Sequence, residues 1–291
     1  MSASRNALAG ALAVLAVASP GLGAGPSVTL ADTGSTSSRL TAELSAQALA
    51  AQGFTVIRTT LPSASTADGA LAAGTIDAYA TETATLLEYV LNKPKVRDDA
   101  ALTTMLASNL AARGQAPLAI SPADDSPQVA CRKVTVRRHR LSGLLALGRA
   151  AGNLTYAATA SHVVRADGIP TLRVKFRRVV VAADAERFDL IAKRRVHCVL
   201  SSAAEPRAAR LALVALRDRT RRLAGTPRHG LIVAGQGYLA SAPATFIPSL
   251  ERVAALVTTD NLRSLIGQVE LDAQDPTAVA QTFLLANGVI P

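Results

Sequence analysis

Short apolar runs alternate with amphipathic segments along the first third of the chain. The runs "SVTLAD", "FTVIRTT" and "IDAYA" have the length and composition of buried strands. Between them, "SSRLTAELSAQALAAQG" repeats apolar residues at helical spacing and ends at Gly53, a common helix-terminating residue, and "ADGALAAGT" is a shorter helix. The order β-α-β-α-β predicts a parallel sheet with helices on both faces.

The same alternation starts again after Ala130. The chain there reads as a helix, two strands, a helix and a strand, in the segments "LSGLLALGRAAG", "NLTYAA", "VVVA", "ERFDLIAKRR" and "VHCVLSS". The stretch after Pro248 predicts two or three helices, and Asp275 and Pro276 are the cap and first-turn residues of the final one. A chain of 291 residues, 49% of them apolar, is long enough for two such α/β units.

The first 24 residues have the pattern of a secretory signal. A single positive charge at Arg5 precedes an apolar stretch over residues 7–19, and proline and small residues follow. A membrane-spanning helix needs about 20 apolar residues, so this shorter run predicts a cleavable signal peptide over residues 1–24. The alternative is an N-terminal anchor that stays in place. No cysteine lies near the predicted cleavage point, so we expect an exported protein without a lipid-attachment cysteine.

The net charge of +10 is concentrated in the middle of the chain. Residues 128–230 carry 22 Lys and Arg against 6 Asp and Glu, which leaves 9 against 15 for the rest. Nucleic-acid surfaces usually interleave such charge with aromatic residues or present it on a reading helix. Only 3% of this chain is aromatic. We therefore expect no nucleic-acid partner and interpret most of these arginines as a solvated surface.

Two cysteines, Cys131 and Cys198, lie in segments that read as short buried strands. If those strands are neighbours, an exported protein would permit a disulfide between them. The alternative is two buried thiols that act as small apolar residues. No histidine has metal-ligand spacing with either cysteine, and no phosphate-binding or dinucleotide-binding glycine motif is present. The sequence predicts neither a metal site nor a cofactor.

Five segments, in a common order and spacing, carry a family resemblance: "VTLADTGSTSSRLTAELSAQAL", "GALAAGTIDAYATETAT", "ADDSPQVACRK", "VVRADGIPTL" and "LVTTDNLRSLIGQVELDAQDPTAVAQTFL". The chain resembles the substrate-binding proteins of osmoprotectant ABC transporters for glycine betaine, choline and carnitine. The resemblance implies an α/β, bilobed periplasmic-binding-protein fold (type II) whose two lobes are joined by a two-crossover hinge. Lobe 1 would comprise residues 25–126 and 231–291, and lobe 2 the basic residues 127–230.

The resemblance also implies partners. A small-molecule solute would be trapped between the lobes, and the permease subunits of an ABC transporter would hold the protein at the membrane, in the periplasm or outside the cell. We expect a monomer. An enzyme would need an acid/base pair in the cleft, and the single candidate pair, Glu82 with His229, sits in no catalytic motif. The alternative function is a sensor or adhesin that uses the basic lobe on an anionic polymer, which would show as salt-dependent binding.

Family members hold the trimethylammonium group in a box of aromatic rings, and basic groups and hydroxyls hold a carboxylate. By resemblance, this chain keeps ligand contacts at Thr85, Asp125 and Arg165. At ring positions, however, it has Glu82, Pro127, Ser202 and His229. Each cation–π contact contributes about 0.5–2 kcal/mol, so the loss of several would weaken quaternary-amine binding by decades.

A polar clamp is the predicted replacement for the ring box. Glu82 and Asp125 would hold an amine, and Arg165 would hold a carboxylate bidentately. Such a site suits a zwitterion with N–H donors. Further candidate contacts are Thr36 and Tyr79.

Four of these candidates also have structural interpretations. Tyr79 would be a packed residue beside the cleft, and Thr36 a residue of a helix cap. Glu82 would be a carboxylate at a helix N-terminus, and Arg165 would pair with a neighbouring carboxylate.

Overall fold

The computed structural model describes residues 25–165 and 168–291, so the predicted signal peptide lies outside the described part of the chain. The strands are β1 (Ser27–Asp32), β2 (Thr55–Thr60), β3 (Ala78–Glu82), β4 (Gln115–Leu118), β5 (Pro127–Cys131), β6 (Thr155–Ala158), β7 (Arg178–Val181), β8 (Cys198–Ser202), β9 (Val214–Ala215) and β10 (Gly230–Gly235).

The helices flank these strands and fill the C-terminal part of the chain. They are α1 (Thr36–Ala50), α2 (Ala64–Ala72), α3 (Thr83–Thr85), α4 (Asp99–Ala111), α5 (Lys133–His139), α6 (Leu144–Ala150), α7 (Ala160–Val164), α8 (Ile169–Leu172), α9 (Asp184–Ala192), α10 (Pro206–Arg210), α11 (Gln236–Leu239), α12 (Phe246–Leu256), α13 (Thr259–Glu270) and α14 (Pro276–Ala286). A π-helical turn spans Leu86–Val90 and a 3₁₀ turn Ala151–Asn153. None of the helices in the described residues is long and apolar enough to cross a membrane.

Two local predictions about helix ends are confirmed. Gly53, just past α1, has φ of +85°, a conformation that glycine adopts without steric cost. The side chain of Asp275 accepts hydrogen bonds from the backbone N–H groups of Thr277 and Ala278, at 2.9 and 3.2 Å, and Pro276 is the first residue of α14. The C-terminal stretch forms three helices, α12 to α14.

The strands form two five-stranded sheets with the same arrangement. The first has the order β2-β1-β3-β10-β4 and the second β7-β6-β8-β5-β9. In each sheet four strands run in the same direction, and the fifth, β10 or β5, runs antiparallel to the strand on either side of it. We call the first sheet with its helices lobe 1 and the second lobe 2.

The parallel pairing predicted from the order β-α-β-α-β is confirmed for β1, β2 and β3, but each sheet also contains one antiparallel strand that the pattern does not indicate. β5 and β10 are the strands that enter a sheet directly from the other lobe. They start at the end where the parallel strands finish, and so they run in the opposite direction. Local periodicity does not reveal this, because a strand has the same residue pattern in either direction.

Alternate residues of the strands pack on opposite faces of each sheet. In lobe 1, Ala78 and Ala80 pack with Phe246 on one face, while Tyr79 of the same strand packs with Leu102 on the other. Lobe 2 repeats the arrangement, with one core around Val129, Tyr156 and Phe176 and another around Phe188 and Val199. Each lobe therefore has a core on both sides of its sheet.

The two chain segments that cross between the sheets are tied together at Asp124. This carboxylate accepts hydrogen bonds from the backbone N–H groups of Ser126 and Arg228, at 3.0 and 3.2 Å, and pairs with Arg221 at 3.0 Å. Burial acts to raise the pKa of Asp124, but the hydrogen bonds from Ser126 and Arg228 and the charge of Arg221 lower it below its usual value. The ionised carboxylate thus joins both crossovers.

A disulfide joins Cys131 of β5 to Cys198 of β8. The two residues lie directly opposite each other in the antiparallel ladder, and both side chains are fully buried. The bond closes a covalent loop across a sequence separation of 67 residues, and this loop contains β6 and β7.

Reduction of this disulfide should lower the free energy of unfolding by about 4 kcal/mol, since the loop closure restricts the unfolded chain. Urea unfolding of the oxidised protein, with and without reductant, measures the difference in the free energy of unfolding. The Cys131→Ala/Cys198→Ala double variant is the control and should not respond to reductant. Two free thiols titrated in denatured, unreduced protein would contradict the disulfide.

Candidate functional site

A cavity of about 230 Å³ lies between the two lobes. The lining residues from lobe 2 include residues at or just after the carboxyl ends of its strands. Thr159 and Ser161 come after β6, and Ser201 and Ser202 end β8. Ligands of open α/β sheets bind outside the carboxyl ends of the strands, and this cavity lies at that edge.

Both signs of charge line the cavity. The cationic side chains outnumber the carboxylates by four to two, and they are Lys95, Arg165, Arg187 and Arg228 against Glu88 and Asp125. No Phe, Tyr or Trp of the described residues lines it. Pro127 and Ser202, which the sequence places at two ring positions, line the cavity opposite each other in the β5–β8 ladder.

Asp125 is the carboxylate of the lining with the most buried surroundings. Its Oδ1 accepts a hydrogen bond from the backbone N–H of Ala204 at 2.8 Å, and the hydroxyl of Ser202 donates to the same carboxylate. Burial, aided by the nearby charge of Glu82, raises the pKa of Asp125 to about 6, although these hydrogen bonds and Arg228 act to lower it. The carboxyl group is therefore close to its titration point near neutral pH.

Arg187 brings a guanidinium to the cavity from the buried face of α9. Its Nε donates to the carbonyl of Leu200 at 2.7 Å, and Nη1 pairs with Asp184. These contacts fix the guanidinium plane, and Nη2 donates no hydrogen bond within the described part of the chain. A planar donor group fixed in this way suits a carboxylate or phosphate oxygen.

Arg165 reaches across the cavity from lobe 2 to lobe 1. Its guanidinium donates to the hydroxyl of Tyr89 and lies 5.3 Å from the centre of the Tyr89 ring. Tyr89 belongs to the π-helical turn of lobe 1, so this contact of the lining residue Arg165 joins the two lobes.

Comparison with known proteins identifies the family. Residues 26–286 match the model of the substrate binding domain of ABC-type glycine betaine transport systems. The chain belongs to this family. Its members are solute-binding proteins rather than enzymes, and no curated protein sequence matches the chain.

Solved structures share the fold of this binding protein at low sequence identity. A glycine betaine/carnitine/choline ABC transporter protein superimposes with a TM-score of 0.81 at 16% identity, over 90% of this chain and 99% of that one. Apo YehZ from Escherichia coli gives 0.73 at 19% identity, over 91% and 99%. Lactococcal OpuAC, closed and complexed with glycine betaine, gives 0.59 at 12%, over 90% and 96%. The predicted bilobed periplasmic-binding-protein fold is confirmed.

Glu82 and Thr85 of the binding protein lie behind the cavity wall. Glu82 ends β3, with Oε2 3.8 Å from Nη1 of Arg228 and 3.5 Å from the hydroxyl of Thr85. Neither residue lines the cavity, whereas Arg228 does. The carboxylate of Glu82 therefore affects the cavity indirectly, through its contact with Arg228 and its charge near Asp125, whereas Asp125 and Glu88 are the carboxylates of the lining.

Three further candidates from the sequence also lie outside the lining. Tyr79 is fully buried in a lobe 1 core, where burial and then Asp68 raise its pKa. Thr36 is the first residue of α1, and Ser35 before it provides the cap. The ring of His229 contacts the carbonyl of Ala123 at 2.8 Å and Asp99 at 3.1 Å rather than Glu82. The structure thus supports the interpretation of Tyr79 as a packed residue, and it does not pair His229 with Glu82.

Arg187, Arg228 and Lys95 are lining residues that the sequence interpretation omits. Arg187 has a usable signal, because it lies on the same helical face as Phe188 and Ile191, and a basic residue on a buried face needs a partner. Arg228 immediately precedes the return-crossover candidate His229. Lys95 lies within the irregular segment before α4, and no sequence pattern there indicates that it would line a cavity.

The raised pKa of Asp125 predicts a pH dependence of stability in the solute-free protein. The folded state holds this proton more tightly than the unfolded state, so the stabilisation is complete below pH about 4 and is lost as the pH rises through about 6. Between these limits the free energy of unfolding should fall by roughly 2–3 kcal/mol more in the wild type than in Asp125→Asn.

Urea unfolding of both proteins at a series of pH values measures this difference. The side-chain amide of the Asp125→Asn variant keeps an oxygen for the Ala204 N–H, so the comparison isolates the ionisation. Parallel pH profiles of the two proteins would show that Asp125 titrates normally.

Proposed function

We propose that this binding protein captures a small zwitterionic solute with N–H donors and delivers it to the permease of an ABC importer. The observation that carries the proposal is the cavity itself, which lies between the two lobes and is lined by carboxylates and guanidiniums but by no Phe, Tyr or Trp of the described residues. A zwitterion presents both charges over a few bonds, as this lining requires. The family supports the transport role, and the predicted signal peptide supports export.

The positive lining residues favour an acidic group on the solute. Arg165, Arg187 and Arg228 approach from different elements, so a carboxylate or similar group in the cavity would meet donors on more than one side. Charge-assisted hydrogen bonds of this kind contribute about 1.5–3 kcal/mol when desolvated.

The negative lining favours an amine that can donate hydrogen bonds. Asp125 offers carboxylate oxygens, and hydroxyls of Thr159, Ser161 and Ser201 surround the same space. A quaternary ammonium has no N–H to give them and depends on aromatic faces, worth about 0.5–2 kcal/mol each. Glycine betaine is therefore expected to bind this chain more weakly than a less methylated relative.

A methylation series tests this expectation directly. Glycine, sarcosine, dimethylglycine and glycine betaine share one carboxylate and lose one N–H at each step. Calorimetric titration should give affinities that fall along the series, after a thermal-shift screen of amines, amino acids and small anions has located the preferred scaffold. If glycine betaine bound most tightly and its affinity were unchanged in Asp125→Asn, the proposal of a solute with N–H donors would be overturned. The family assignment and the transport role would not be affected.

Two variants should separate recognition of the solute's amine from recognition of its acidic group. Asp125→Asn should weaken amine-bearing ligands by about 10- to 150-fold, and Arg165→Gln should weaken only ligands with an acidic group. An amino acid and its amino alcohol separate the two effects, because they share the amine and only the amino acid has a carboxylate. Arg149→Gln, an exposed change outside the cavity, is the matched control. Glu82→Gln should act less than Asp125→Asn because Arg228 lies between Glu82 and the cavity.

Amine binding should also depend on pH. A bound ammonium favours the ionised form of Asp125, which predominates above a pKa of about 6. Below that pH the ligand must displace a proton, so its affinity should fall up to about tenfold per pH unit. Titration at several pH values should show this decline in the wild type and a flat profile in Asp125→Asn.

A further inference from the structure

The end of the lobe 2 sheet opposite the cavity carries a concentration of cationic side chains. β6, β7 and β8 begin there and the antiparallel β5 ends there. Arg132 follows β5, Arg177 precedes β7 and His197 precedes β8. With residues of the adjoining α5 and of the turn after α9, they form what we call the basic edge: Arg132, Arg138, His139, Arg177, Arg194 and His197.

Backbone contacts hold the centre of the basic edge in place. The N–H of Arg132 donates to the carbonyl of His197 at 3.1 Å, and the N–H of Arg177 donates to the carbonyl of Leu154 at 3.0 Å. The Nδ1 atom of His197 accepts a hydrogen bond from the N–H of Thr155 at 3.0 Å. The cationic residues are thus attached to a rigid row of strand ends.

No carboxylate neutralises this edge within residues 25–165 and 168–291. None of its arginines forms an ion pair or a side-chain hydrogen bond there, and Nε of Arg132 is buried without a hydrogen-bond partner. Several arginines elsewhere in the protein are paired with Asp or Glu, namely Arg58, Arg113, Arg207, Arg210, Arg221 and Arg263. The basic edge therefore differs from these paired surfaces in its lack of partners as well as in its charge.

The uncompensated charge acts on neighbouring groups. Burial and then the charges of Arg132, His139, Arg177 and Arg138 lower the pKa of His197. Burial and the charge of Arg194 likewise lower the pKa of Arg132. A bound anion would relieve this repulsion.

We propose that the basic edge binds a linear polyanion that carries phosphate-type groups, separately from the solute cavity. Guanidinium groups match the oxygens of a phosphate group bidentately. The row of four strand ends covers three interstrand spacings of about 4.8 Å each, which exceeds a single phosphate and fits several groups along a chain.

Other anionic partners fit the edge less well. Nucleic acids usually stack bases on exposed aromatic rings, and the described aromatic residues nearest the edge, Tyr156 and Phe176, are buried. A bilayer bound at this edge would leave the cavity, at the other end of the strands, facing away from the membrane. A polyanion bound there leaves the cavity open to solute and to a permease.

Binding of fluorescently labelled linear polyphosphate tests the proposal. Fluorescence anisotropy should show saturable binding whose log affinity falls linearly with log salt, by about 0.7 per phosphate contact. The triple variant Arg138→Gln/Arg177→Gln/Arg194→Gln should bind at least about tenfold more weakly at low salt and lose about 2 units of salt slope. Circular dichroism and urea unfolding check that this variant folds, and Arg177→Gln alone should show a smaller loss in the same direction.

Two controls separate the edge from general charge effects. Arg39→Gln/Arg97→Gln/Arg219→Gln removes the same charge from exposed arginines elsewhere and should keep most of the affinity. Arg165→Gln in the cavity should bind polyphosphate as the wild type does. In the wild type, polyphosphate should also shift the His197 ring resonances towards the protonated form, and the solute should not.

Several results would overturn the proposal. If the edge triple variant and the control triple variant lost equal affinity for polyphosphate, the binding would depend on the net charge of the protein and not on the basic edge. Binding of phosphatidylglycerol vesicles but not of polyphosphate would assign the edge to a membrane surface, and preference for single-stranded DNA would assign it to nucleic acid. If the solute displaced polyphosphate, the polyphosphate site would be the cavity.

Discussion

The carboxylate of Asp124 joins the two chain segments on which the rest of the architecture depends. Each lobe has its own sheet and cores, and the lobes share the crossings before β5 and before β10. Asp124 accepts hydrogen bonds from one crossing at Ser126 and from the other at Arg228, and it pairs with Arg221. Since Asp125 and Arg228 line the cavity next to this junction, any relative rotation of the lobes about it changes the width of the cavity.

The direction of the strands separates two chemistries within lobe 2. The carboxyl ends of β6 and β8 present hydroxyls and a few opposed charges to the cavity, a mixture that favours small polar molecules. The opposite ends present arginines that have no carboxylate partner among the described residues. One sheet thus has side chains of both charge signs at one edge and mainly positive ones at the other, and the four or five residues of β6 and β8 set the distance between the two edges.

The sequence predicts the elements better than the contacts. Strand and helix alternation, the stop at Gly53 and the start at Pro276 are encoded in neighbouring residues, and all three appear in the structure. The direction of β5 and β10 depends on where the chain comes from in space. Tyr79 is a plausible ligand contact by position, but alternation along β3 points it into the core. Arg187 escapes sequence reasoning because its role follows from the packing of α9, which no local motif describes.

The position of β10 has a consequence for the order in which the protein can fold. This strand lies between β3 and β4 in the lobe 1 sheet, yet about 110 residues separate it from β4 along the chain. Because the chain is synthesised from its N-terminus, lobe 2 has all its strands available before lobe 1 does. Until β10 is available, the N-terminal part of lobe 1 has an unpaired edge at β3. Unpaired strand edges favour aggregation and are sites that chaperones bind. The domain that begins the polypeptide is therefore the last to be completed.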